Sequence, residues 1–107
     1  MTDKDKKIQE MQTLDQNIQN LILQKQAFQM ELSETRSALN EIENAGDEVF
    51  KIIGQLMLKT EKSKIKQELS NKEKILDLRI KTIEKQESSL AEQLDSLRGE
   101  VLGLIKK

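Results

Sequence analysis

From Met11 onward, apolar residues recur at alternating steps of three and four: Met11, Leu14, Ile18, Leu21, Phe28, Leu32, Leu39 and Ile42, with Lys25 and Thr35 at two intervening positions. Such steps keep one stripe of a helix turned toward one partner, which makes this the a/d seam of a coiled coil with two polar members. Thr2 followed three residues later by Asp5 has the form of a capping box, and Ala45-Gly46 offers a glycine stop. The spacing predicts a first helix over 3–44, about 60 Å long at 1.5 Å per residue.

A stricter repeat follows, in which Leu69, Leu76, Ile83, Leu90, Leu97 and Leu104 fall every seventh residue. Ile80, Leu94 and Val101 supply the alternate row, interrupted by Glu73 and Glu87. With Ser63 as N-cap, a second helix is predicted over 64–105. Two seams of equal length in one chain predict an antiparallel helical hairpin. If facing residues sum to about 108, Thr35 meets Glu73, and Lys25 comes close enough to Glu87 for a salt bridge. Polar seam members of this kind either reach solvent or fix the register of the helices.

Between the seams the period changes from helical to two. Val49 to Ile53 and Leu56 to Thr60 flank Gly54-Gln55, and glycine at the first central position is what a type II′ hairpin turn requires. That turn puts Val49, Lys51, Ile53, Leu56, Leu58 and Thr60 on one face, and Phe50, Ile52, Met57 and Lys59 on the other. A lone two-stranded sheet with two largely apolar faces is marginal in water. Val49, Phe50, Ile52, Ile53, Leu56, Met57 and Leu58 are therefore read as an oligomerisation hairpin that takes up strands from other chains.

Composition removes most other function classes. The 107 residues include no Cys or His, so a thiolate nucleophile, an imidazole base, a Cys/His zinc site and a disulfide are all excluded. No enzyme, metal or cofactor is expected. A net charge of −1, and Phe28 and Phe50 as the only aromatics, leave neither a basic face nor a stacking platform for nucleic acid. The longest uncharged run, Gln16 to Gln24, is too short to span a bilayer, and MTDKDKK has no apolar signal region. The expectation is a single domain over 1–107, cytoplasmic, without membrane contact.

From about Leu14 to Leu97 the chain resembles the prefoldin subunits of β type. VFKIIGQLMLK, residues 49–59, is similar to that family's central hairpin with its glycine turn, and LDLRIKTIEKQESSL, residues 76–90, to the second helix of its β subunits. The family's α-type subunits place two hairpins between the helices, whereas residues 46–62 have room for one. Some relatives have Gly-Pro where this chain has Gly54-Gln55, a difference in turn rigidity. The resemblance implies a mainly α fold, an antiparallel two-helix coiled-coil hairpin whose central β-hairpin joins an oligomeric β-barrel body. It further implies a heterohexamer of two α-type and four β-type subunits, with six coiled coils on a double barrel. Such an assembly is an ATP-independent holdase that captures non-native proteins at the coiled-coil tips and passes them to a group II chaperonin.

Gly99 and Gly103 each cost a helix interior about 1 kcal/mol relative to Ala, so the last turns are expected to fray. Leu102 and Ile105 lie off the seam there, as Ile8 does near the other terminus. An antiparallel arrangement gathers Ile8, Met11, Val101, Leu102, Leu104 and Ile105 into an apolar cluster at the end of the helices, the expected client site. Lys106 and Lys107 are the expected chaperonin contact by the same resemblance. The competing reading is a coiled-coil oligomerisation scaffold without clients, for which Ile22, Leu23, Ile75 and Leu78, also off the seam, would be equally ordinary.

Overall fold

The computed structural model describes residues 2–105 in four elements: α1 (Asp3–Asn44), β1 (Glu48–Ile53), β2 (Leu56–Glu61) and α2 (Lys62–Ile105). The chain divides into two units by internal packing. A terminal unit takes the described residues up to Ala27 and from Ile80 onward, and a central unit takes Phe28–Arg79.

In the terminal unit, α1 opens with the capping box that its sequence specifies. The Thr2 amide donates to Asp5 Oδ2 at 3.3 Å and the Asp5 amide donates to Thr2 Oγ1 at 3.1 Å, so two otherwise orphaned donors are satisfied reciprocally. Asp3 and Asp5 also place negative charge at the positive end of the helix dipole. Ile80, Ile83, Leu94 and Val101 are buried, with Met11, Leu14, Ile18 and Leu21 half-buried on α1. Lys7 pairs with Glu100 and Lys25 with Glu87, so partner numbers fall as residue numbers rise, the mark of antiparallel helices.

The central unit repeats this arrangement around Leu32, Thr35, Ile42 and Leu76, all buried. Arg36 pairs with Glu73 at 3.2 Å and Glu43 pairs with Lys66. The Arg79 guanidinium lies over the Phe28 ring, 5.6 Å from its centroid, a cation–π contact at the edge of the seam. The polar layer expected from Thr35 and Glu73 resolves differently. Thr35 Oγ1 donates to the Glu31 carbonyl at 2.8 Å within its own helix, and Glu73 accepts from Arg36 Nε. A short hydroxyl cannot span the seam and is satisfied most cheaply by the carbonyl one turn back.

β1 and β2 pair antiparallel in the register Val49 with Thr60, Lys51 with Leu58, and Ile53 with Leu56, which gives the two expected faces. Gly54 has φ +59°, and among the described residues no non-glycine φ is positive. A positive φ at the first central position alone is the II′ pattern, whose twist matches that of the strands.

Two helix boundaries depart from the sequence reading. Gly46 is not in the left-handed region, so it does not close α1 as a C′ glycine. Instead the Ala45 amide donates to the Ile42 carbonyl at 3.3 Å, and Lys62 Nζ donates to the Ala45 carbonyl at 2.8 Å and the Glu43 carbonyl at 3.4 Å. An ammonium from α2 thus satisfies the free carbonyls at the negative end of α1. Correspondingly, α2 begins at Lys62 directly after β2, and Ser63 lies inside the helix rather than capping it. Within each unit, then, the two helices form an antiparallel coiled coil, and one β-hairpin separates them in the chain.

Candidate functional site

Exposed large apolar side chains gather on two surfaces, besides Leu23, Met30, Ile75 and Leu78 along the helices. The first is the strand pair. Phe50, Ile52, Ile53, Leu56, Met57 and Leu58 are all exposed, and only Val49 of the expected hairpin residues is half-buried. The hydrophobic pattern of two short strands forces this outcome, since alternation gives each face apolar residues while one hairpin has nothing to stack against both. The sheet has two strands, so each strand keeps one edge of unpaired backbone N–H and C=O groups.

The second surface is the end of the terminal unit formed by the start of α1 and the last turns of α2. Leu102 is 55% exposed and Ile105 57%, whereas Ile8, Met11 and Leu104 are half-buried and Val101, at 7%, sits within the seam. The apolar surface offered to solvent there is carried by Leu102 and Ile105, while Val101 is buried in the seam. Gly99 and Gly103 are both helical, and an added Cβ at either meets nothing within 4 Å. Lys106 and Lys107, the expected chaperonin contact, lie outside the described residues.

Ion pairs frame these surfaces. Lys7 Nζ donates to Glu100 Oε2 at 2.7 Å beside the apolar end, and that bond holds the ammonium above its ordinary pKa of 10.5. At the other end of α1, the hydrogen bond from Lys66, followed by its charge, holds the Glu43 carboxyl below its ordinary 4.5. Lys51 Nζ reaches Glu68 Oε2 at 3.1 Å, tying β1 to α2. Sequence reasoning missed Lys62, Lys51 and Lys7, because their partners lie 17, 17 and 93 residues away and no period marks them. It also missed Met30, exposed on α1 like Leu23, although an apolar residue opposite the seam was visible in the heptads.

One groove of the terminal unit is lined by Asn17, Asn20, Gln24, Gln86 and Ser89 beside Leu21 and Leu90, and another includes Lys6, Glu10, Thr13 and Ser96. Among the described residues no cluster of Asp and Glu could hold a metal, and no helix is long and apolar enough to cross a membrane.

Comparison with known proteins agrees with this arrangement. The family described as prefoldin subunit matches residues 5–107. A prefoldin subunit beta from Saccharolobus islandicus is 34% identical over 98 residues, covering 90% of this chain and 78% of the relative. One from Thermococcus kodakarensis is 35% identical over 99 residues, covering 91% of this chain and 85% of the relative. The crystal structure of the prefoldin beta subunit from Thermococcus strain KS-1 superposes with a TM-score of 0.92 at 32% identity, covering all of this chain and 96% of that one. On the strength of its helices, its single β-hairpin and these likenesses, the chain belongs to the prefoldin family, among the subunits of beta type.

Proposed function

We propose that this chain is a subunit of an ATP-independent holdase, which captures non-native proteins at the apolar end of its coiled coil. The observation that carries the reading is the pair Leu102 and Ile105, each more than half exposed at the helix end beside two glycines. Aliphatic side chains on an easily frayed turn suit ligands of no fixed shape, because the contact is non-directional and the backbone can adapt. The hairpin supplies the second part. With two free edges and two apolar faces it requires strands from other subunits, in the family manner an α-type partner and further β chains in a hexamer of two and four. Held clients would pass to a group II chaperonin in the cytoplasm, with Lys106 and Lys107 as the contact. No catalytic step is assigned.

The test is aggregation suppression. The chain, alone and mixed with an α-type subunit, is expected to keep a denatured client soluble without nucleotide. No protection by an assembled complex would reject the holdase reading. The second reading is a coiled-coil scaffold without clients, favoured by one observation: Leu23 and Leu78 are exposed although they lie away from the helix ends.

A further inference from the structure

We propose that the junction of α1, the hairpin and α2 is a hinge with two alternative sets of helix caps. In the set seen here, Lys62 closes α1 and α2 begins directly after β2. In the other, Gly46 closes α1, Ser63 caps α2, and Lys62 is released. The hinge is separate from client capture, which rests on Leu102 and Ile105, so its failure would leave that reading untouched. Two residues of the junction have no task in the first set. Gly46 stands one residue past the end of α1, where a left-handed glycine commonly closes a helix, yet its φ is not positive. An added Cβ there would meet nothing within 4 Å, so alanine would serve as well. Ser63, a good N-cap and a mediocre interior residue, lies exposed within the first turn of α2.

The two sets exclude each other because they compete for the same acceptors. Lys62 Nζ donates to the Ala45 carbonyl at 2.8 Å and the Glu43 carbonyl at 3.4 Å, while the Ala45 amide holds the Ile42 carbonyl at 3.3 Å. A left-handed Gly46 would aim its own amide at the Glu43 carbonyl and the Asp47 amide at the Ile42 carbonyl, the two bonds of a Schellman ending. Charge favours neither set on every count. The last turn of α1 holds Glu41 and Glu43 and no base, at the negative end of its dipole, and the first turn of α2 holds Lys62 and Lys64 and no acid, at the positive end. The Lys62 ammonium relieves the first helix end while burdening the second, and its release reverses that exchange. The Glu43 and Lys66 pair needs neither cap and keeps the helices together. What changes is the tether of the hairpin: no residue separates β2 from α2 in the first set, whereas residues 62–63 become a link in the second.

The test is amide hydrogen exchange of the full-length chain by NMR, read in the last turn of α1 and the first turn of α2. Gly46→Ala and Ser63→Ala alone should each change exchange less than about twofold. Lys62→Met should speed it less than about fivefold, with the couplings of Gly46 now reporting a positive φ, because the second set takes over. Adding Gly46→Ala to Lys62→Met should make the end of α1 exchange at least about fivefold faster than the product of the single effects, since alanine resists the left-handed region. Adding Ser63→Ala should do the same at the start of α2. Lys62→Arg, which keeps a donor on a long stem, should behave as the parent does. Effects that simply multiply would overturn the second set of caps. Unchanged exchange and a negative Gly46 φ in Lys62→Met would remove Lys62 as the latch. A uniform rise along all of α1 would mean general destabilisation and would reject the hinge.

Discussion

Lys25 and Glu87 meet across the coiled-coil seam, with Nζ 3.0 Å from Oε1 and 3.2 Å from Oε2, at positions where the heptad repeat calls for apolar side chains. Only the bond to Oε2 has good hydrogen-bond geometry, so Oε1 is held by charge alone. Both side chains are about four-fifths buried, at 22% and 20% exposure. Such a pair costs desolvation that a leucine pair would not, and its return is register, because sliding the helices by one layer would leave both charges against apolar neighbours.

Breaking this pair should cost more than deleting it. Lys25→Leu or Glu87→Leu alone leaves a charge in the seam and is expected to destabilise by about 1 to 3 kcal/mol, discounted from a fully buried pair by the residual exposure. The double variant should be at least as stable as the parent by denaturant unfolding. A double variant less stable than either single one would contradict this account.

The turn depends on one glycine. At φ +59° an L side chain is strained even though the space around Gly54 is open, so Gly54→Ala should weaken the hairpin by about 1 kcal/mol or more. Helicity should persist while the midpoint for oligomer dissociation moves to higher protein concentration, as followed by light scattering.

Titration should separate the two perturbed groups by sign. Glu43 is held below 4.5 by Lys66, so its contribution to stability is complete above the ordinary carboxylate value and is lost as pH falls through its depressed folded value. Lys7 is held above 10.5 by Glu100, so its contribution is complete below that value and is lost as pH rises through the raised one. Carbon-detected NMR should find the Glu43 midpoint below 4.5, returning toward it in Lys66→Met. A midpoint unmoved by Lys66→Met would remove that lysine as the cause.

At the apolar end, Leu102→Ser with Ile105→Ser should lower client capture while Lys7 and Glu100 stay paired. Each aliphatic contact is worth about 1.5 to 3 kcal/mol, and several chains acting on one client multiply the loss. Deleting 100–107 is a cruder probe, since it also removes Glu100 and with it the partner of Lys7. Gly99→Ala with Gly103→Ala should stabilise α2 by up to about 1 kcal/mol each, because nothing blocks the added methyls. If fraying serves capture, this stiffer end should hold clients less well at equal assembly. Full aggregation suppression by both sets of variants would move the client site elsewhere.

The seams, the single hairpin, its register and the glycine at its turn were all legible in the sequence. Each follows from a short period, three and four for a helix facing one partner or two for a strand, and a period needs no knowledge of what lies across it. The Lys25 and Glu87 pair was legible too, once antiparallel pairing was assumed. Tertiary structure alone decided how α1 ends. The sequence offered Gly46, but Lys62 already satisfies the terminal carbonyls from α2, so no left-handed glycine is needed and α2 starts before Ser63. It also decided that Val101 belongs to the seam while Leu102 meets solvent, and that Lys51 pairs with Glu68 on α2. These are contacts between groups distant in the chain, where side-chain reach and competition for the same acceptor set the outcome, and no local pattern records either.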